Sequence, residues 1–242
     1  AGHRVELFGL DAPALRREVG GLSRELEVID LRDAVPSSPV LSLYLQKGHF
    51  SLFSDIVRLA LLRGGRGVWA DADCVFLRAV APADGHVMGW VQVGRRVGNG
   101  VLLLPRGGAA LEAYWRAVTE PPLRAPWATL HIRAKREIAI LFGRAMPADP
   151  QKMSIGPRAL THFVKAHGLE RFVSAPARFY PVDQGEAALL VDPDPRGAEA
   201  KIGPASDLVH AWRGNLAALG LLRDARPPAG SWLARRYDDL LG

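Results

Sequence analysis

The stretch FSDIVRLALLRGGRGVWADADCVF, Phe53 to Phe76, sets two patterns side by side. Its first half places Phe53, Ile56, Val57, Leu59, Ala60 and Leu61 on one broad helical face. The segment 51–65 therefore predicts a helix, with Ser51 or Ser54 able to cap its start and Gly64-Gly65 ending it. GVWA, 67–70, follows as a short strand leading straight into Asp71 and Asp73. Carboxylates are strongly disfavoured beside apolar runs unless something pairs with them. Within a strand, side chains two residues apart share a face and lie apart; at a strand end, where the chain turns, both can reach one small volume. The carboxyl ends of strands are also where ligands bind in open α/β sheets.

Outward from this stretch, strand and helix patterns alternate. HRVELFGL (3–10) and LEVIDL (26–31) predict strands, with the helix APALRREV (12–19) after the Asp11 turn. AVPSSP (34–39) is expected as loop. GHVMGWVQV (85–93) and NGVLLLP (99–105) are apolar runs of buried-strand type, the second ended by Pro105. Helices are expected over 108–118, 130–144 and 157–168, the last with Pro157 in its first turn. RFVSAPARFYPV (171–182) is expected to be extended, 191–205 to be a long Pro/Gly loop, and DLVHAW (207–212) to hold the last strand. The reading is α/β, a mixed, mostly parallel sheet flanked by helices. One domain is expected over 1–242, with its core at 3–215 and a closing helix within 227–242.

The totals exclude several classes. Hydrophobic residues make up 48% of the 242, enough for a sizeable core. No apolar run approaches the about 18 residues of a transmembrane helix, and the start lacks the basic-then-apolar pattern of a signal peptide. The only cysteine, Cys74, excludes an intrachain disulfide and a Cys-rich zinc site, which fits a reducing, cytoplasmic setting. Net charge is +6, but only five of the 31 basic residues are Lys (47, 135, 152, 165 and 201), so the excess is arginine in an Ala/Gly/Pro/Arg-rich chain. No RNA- or DNA-reading motif is present and aromatics do not interleave with the basic residues, so no nucleic-acid partner is expected. HIRAKRE (131–137) offers a basic helix face for peripheral contact with an anionic membrane or a phosphate-bearing acceptor; the bland reading is a solvated face.

Two carboxylates near a polyphosphate make a hard-cation site, since Mg²⁺ and Mn²⁺ take oxygen ligands and leave positions for phosphate oxygens. A lone D-x-D is weak evidence. Asp55 and Arg58, three apart on the preceding helix, share a face and strengthen it. The full order is Ser54-Asp55, Arg58, an apolar helix, Gly-Gly, a strand and D-x-D. It resembles the glycosyltransferases with a DXD sugar-binding region, glycosyltransferase family 32 and its relatives. GNGVLLLP, SIGPRALT, RFYPV and VHAW resemble further segments of that family.

The resemblance implies a GT-A fold and a metal-dependent, retaining class of hexosyl transfer from a nucleotide-sugar donor (a UDP- or GDP-sugar) to a glycan or other hydroxyl acceptor, as in polysaccharide biosynthesis. It implies Mn²⁺ or Mg²⁺ held by Asp73, with Asp71 shared between metal and the donor's ribose or sugar, and His210 as a third ligand or pyrophosphate contact. Ser54, Asp55, Arg58, Asn99 and Gly100 would line the donor. Taken by themselves, His210 reads as a packed histidine, Trp69 as core or a stacking ring, Asn99-Gly100 as a turn, Gly156-Pro157 as a helix start, His49 as a cap, a packing residue or a donor contact, and His131, His162 and His167 as structural. Cys74 reads as a small buried neighbour. Family members begin with a further strand and helix near the base; here the chain opens on what resembles the second strand, so an exposed sheet edge is expected near VELF. Two other readings remain open: an inactive relative that binds anionic glycans or other polyanions, and a metal-dependent phosphoester hydrolase.

Overall fold

The computed structural model describes residues 4–19, 26–120, 122–143, 155–221 and 226–241. Residues 1–3, Arg144, Ser154 and Gly242, at the ends of expected segments, lie outside them. Strand β1 (Val5–Gly9) pairs in parallel with β2 (Leu26–Asp30), and helix α1 (Ala12–Val19) stands between them in the chain. Among the described residues β2 is the only strand beside β1. Asp30 ends β2 and caps the short α2 (Leu31–Ala34), its carboxylate accepting from the Arg32 amide. Ser38 caps α3 (Pro39–Gln46) in the same way, through the Leu41 amide. This helix had no expectation; it follows from a capping serine with proline at the first helical position.

Helix α4 spans Phe50–Arg63. Its N-cap is His49, without a side-chain bond, so Ser51 and Ser54 sit inside the helix instead of capping it. The start is set earlier, where Gly48 adopts φ +68° and the His49 amide donates to the Tyr44 carbonyl at 2.8 Å. The end matches expectation: Gly64 caps it and Gly65 takes φ +74°. Ile56, Leu59 and Leu62 are fully buried in the main core, each worth about 1.5–3 kcal/mol of burial.

The strands β3 (Trp69–Ala70), β4 (Cys74–Phe76), β5 (Val87–Gln92) and β6 (Arg96–Leu103) follow. Then come α5 (Ala109–Thr119), α6 (Leu130–Leu141), α7 (Pro157–Ala166), β7 (Val173–Ser174) and α8 (Pro176–Phe179). The chain closes with α9 (Arg196–Lys201), β8 (Leu208–His210), α10 (Arg213–Ala218) and α11 (Trp232–Leu241). The central sheet runs β3-β6-β5-β7, and β4 pairs with β8. The molecule is thus α/β with a mixed sheet flanked by helices. The parallel share is smaller than expected: β1/β2 and β5/β7 are parallel, whereas β3/β6, β5/β6 and β4/β8 are antiparallel. The reason is local. Only Val93-Gly94-Arg95 separates β5 from β6, with Gly94 at φ +68°, and a link that short closes a hairpin, while a parallel pair needs a crossover of a dozen or more residues.

The expected extended segment 171–182 is mostly a 3₁₀ turn (Glu170–Phe172), two strand residues and α8; the expected loop 191–205 holds α9. Phe179 and Tyr180 press into the sheet where glycines leave room. A Cβ on Gly89 would lie 2.8 Å from Phe179, and one on Gly98 would lie 2.4 Å from the Tyr180 ring and hydroxyl. Helix α7 is tied to β6 by Thr161, whose hydroxyl accepts from the Val97 amide at 3.0 Å and donates to the Pro157 carbonyl at 2.6 Å. Helix α11 buries Trp232 and Leu233 in a second cluster with Val182, Leu190, Val209 and Leu216. No described helix is long and apolar enough to cross a membrane.

Candidate functional site

Helix α4 carries Asp55 and Arg58 one turn apart, facing the strand ends. Arg58 is 5% exposed, and a cation that deeply buried needs partners. It has two carboxylates: Nη1 donates to Asp55 Oδ1 and Nη2 to Asp71 Oδ1, both at 2.8 Å. Trp69 completes the clamp. Its ring lies under the guanidinium, 4.9 Å from Cζ to centroid, and its Nε1 donates to Asp71 Oδ1 at 2.7 Å. The Arg58 Nε is buried without a hydrogen-bond partner. Asn99, on β6, donates from Nδ2 to Asp55 Oδ1 at 2.8 Å.

The chain turns at the end of β3 as expected. The Asp71 amide donates to the Gly100 carbonyl at 2.7 Å, and the Cys74 amide donates to the Asp71 carbonyl at 3.0 Å. That turn lets Asp71 and Asp73 approach the same imidazole. His210 Nε2 lies 3.5 Å from Asp71 Oδ2 and 3.4 Å from Asp73 Oδ1. His210 arrives on β8, directly opposite Cys74 of β4. The far oxygen of Asp73 accepts from the Arg213 amide at 2.9 Å. Trp212 holds the other side of the histidine, its amide donating to His210 Nδ1 at 3.1 Å and its indole donating to the Val182 carbonyl at 2.9 Å. It does so at φ +54°, a conformation costly for a bulky residue.

Two glycines admit these groups. A Cβ on Gly100 would lie 2.4 Å from His210 Cδ2 and 3.3 Å from Asp71 Oδ2. A Cβ on Gly156 would lie 2.7 Å from Asp55 Oδ2 and 2.9 Å from Asn99 Nδ2. The Gly156 turn is itself held by the buried Tyr114 hydroxyl, which donates to the Ile155 and Gly156 carbonyls. Segments far apart in sequence therefore meet at one place: 55–58, 69–73, 99–100, 156 and 210–212.

The electrostatics differ between the carboxylates. Burial is the strongest influence on Asp55 and lifts its carboxyl above the usual range, with Arg58 and Asn99 acting against it. Burial also pushes on Asp71, but donors from His210, Arg58 and Trp69 together hold it below the usual range. Burial raises the Cys74 thiol well above its ordinary value, and the thiol donates to the Gly100 carbonyl at 3.5 Å.

Asp73, Cys74 and His210 place donor atoms within 4.8 Å of one another, the one such group among the described residues. Ligands in adjacent positions around a cation with bonds of 2.0–2.2 Å lie about 3 Å apart, a spacing that the 3.4 Å contact between His210 and Asp73 approaches. Cys74 is the third member of that group, and its buried thiol would have to give up its proton to bind a cation; Asp71, 3.5 Å from His210 Nε2, stands beside the group. At His210 the fit carries a condition: the Trp212 amide donates to Nδ1, so a neutral ring keeps its proton on Nε2, the atom facing the carboxylates. Ligation through Nε2 requires that proton to leave and the Trp212 contact to adjust.

Not every expected residue joins the network. Ser54 is half-buried on α4 and makes no hydrogen bond to the cluster among the described residues. His49 stands at the N-cap with its ring tilted against Tyr44, a packing role. His131, His162 and His167 lie on or beside α6 and α7 and make no hydrogen bond to the cluster among the described residues. Trp212 and Tyr114 carry support that their residue types alone did not signal. The chain matches no family model, and no curated protein or solved structure matches it.

Proposed function

We propose that the protein is a metal-dependent glycosyltransferase of the retaining type, moving a hexosyl group from a UDP- or GDP-sugar to a hydroxyl of a glycan acceptor. The observation that carries this reading is the convergence of Asp55, Arg58, Asp71, Asp73, Asn99 and His210 on one sheet end, with Gly100 and Gly156 leaving room for His210 and Asp55. In this reading Asp73, Asp71 and His210 hold Mn²⁺ or Mg²⁺. Such an ion supplies Lewis-acid neutralisation of the departing nucleoside diphosphate.

The protein's own part is positional. Arg58 is a positioning residue: it is 5% exposed and its two Nη atoms donate to Asp55 and Asp71, so it sets both carboxylates. Asn99 gives its amide hydrogen to Asp55, which orients its oxygen as an acceptor for a sugar hydroxyl. Asp55 Oδ2 and the edge of Asp71 remain for donor hydroxyls. Transfer breaks the bond from the anomeric carbon to the diphosphate and forms one to the acceptor oxygen, whose proton leaves with the diphosphate or solvent.

The test is thermal shift with UDP- and GDP-sugars, with and without Mn²⁺, together with metal-dependent donor hydrolysis. A ligand bound only by the folded state raises its stability. The expected result is a metal-dependent shift for at least one donor and loss of both signals in Asp73→Ala. A shift by polyanions that is salt-sensitive and indifferent to metal would instead identify a binding module.

A further inference from the structure

Helix α6 is the one described α-helix that buries no residue. It is nevertheless docked. Ile132 packs against the main core, Ala139 and Ile140 are half-buried, and Arg136 Nε donates to the Leu123 carbonyl. The opposite side is apolar and open: Leu130 is 79% exposed, Ile138 56%, Leu141 81% and the adjoining Phe142 69%. At 100° per residue, Leu130, Ala134, Ile138 and Leu141 fall within about 80° of one another, a continuous stripe along the helix.

At 100° per residue Glu137 falls about 20° outside Leu130 at one edge of the stripe, and cations stand farther out on both sides. Arg133 lies beyond one edge and Lys135 beyond the other, both exposed. The single acid of the helix, Glu137, is paired with Arg124 at 2.9 Å. An apolar stripe between exposed cations is the pattern of a helix lying in a membrane interface. Twelve residues span about 18 Å, well short of a bilayer core of about 30 Å, so the helix would lie in the surface plane. A second copy fits less well. A two-fold contact through this face would bring Arg133 and Lys135 toward their copies, and the one acid of the described helix, Glu137, is already paired with Arg124.

We propose that α6 docks the protein on the surface of an anionic phospholipid bilayer. Leu130, Ile138, Leu141 and Phe142 enter the boundary between headgroups and acyl chains, and Arg133 and Lys135 meet lipid phosphates. This goes beyond the transferase reading and does not depend on it.

Vesicle co-sedimentation of the whole chain tests it, using phosphatidylcholine vesicles with and without about one-third phosphatidylglycerol. The expected result is binding to the anionic vesicles that weakens as salt rises and falls by about tenfold or more in Ile138→Glu/Leu141→Glu. Arg133→Gln/Lys135→Gln should bring anionic binding down to the level of neutral vesicles. All four side chains are exposed, so melting temperatures should match the parent and separate lost docking from lost folding. No binding to anionic vesicles at low salt, equal binding to both compositions, or undiminished binding by Ile138→Glu/Leu141→Glu would overturn the proposal. So would a dimer that this double variant converts to monomer, which would show that a second copy covers the stripe.

Discussion

Arg58 is the residue on which the site's geometry turns. It is buried, and it alone spans Asp55 on its own helix and Asp71 on the next strand end. Its removal leaves two half-buried carboxylates without the counter-charge they share. Breaking such a buried arrangement costs about 3–5 kcal/mol, so Arg58→Ala should lose that much in urea unfolding. Arg58→Lys should recover only part of it, since a compact ammonium lacks the planar fork whose two separate Nη atoms reach the two acids. The Asp55–Arg58 pair was legible from a spacing of three on an amphipathic pattern. Its connection to Asp71 was not, because spacing within a helix says nothing of which strand end the helix will face. His210 was singled out only through resemblance. The Trp212 backbone that holds its Nδ1 carries no sequence signal, since tryptophan rarely adopts a left-handed conformation.

At the scale of elements, legibility followed the length and strength of each pattern. The α4 helix, the strand before Asp71 and the β6 and β8 segments all stand where the patterns placed them, with ends shifted. The hairpin of β5 and β6 was misjudged because two apolar runs look alike in parallel and antiparallel sheets, and only the three-residue link tells them apart. The capping serines were misjudged because the chain bends at Gly48, before either of them. Thr161 shows how one side chain joins two elements. Thr161→Val keeps the shape but leaves the buried Val97 amide unpaired, so a loss of about 1–3 kcal/mol is expected in chemical denaturation. Thr161→Ser should cost less because it keeps the acceptor.

At the scale of the whole molecule, three apolar clusters underlie the segments that carry the site, the third holding Val101, Tyr180 and Leu208. The main core underlies α4 and hence Asp55 and Arg58. The second cluster, closed by α11, contains Val209 and Ala211 on either side of His210. The site therefore depends on residues distant in the chain. Trp232→Ala should cost about 3–5 kcal/mol in thermal or urea unfolding, as expected for a buried tryptophan that is 3% exposed. It should also weaken metal binding relative to an exposed control such as Leu219→Ala, because the strand bearing His210 packs on that cluster.

The glycines of β5 and β6 carry one more consequence. Gly89 meets Phe179, Gly98 meets Tyr180, and Gly100 meets His210. Each is half of a matched pair, an absent side chain opposite a ring. Sequence change at these positions is therefore coupled. A methyl group at 98 can be accommodated only if the ring at 180 shrinks, and one at 100 only if residue 210 gives up the reach that brings it to the carboxylates. Drift along this sheet must pass through paired steps, and the pair at 100 and 210 is the one whose relaxation would preserve the fold while erasing the proposed metal site.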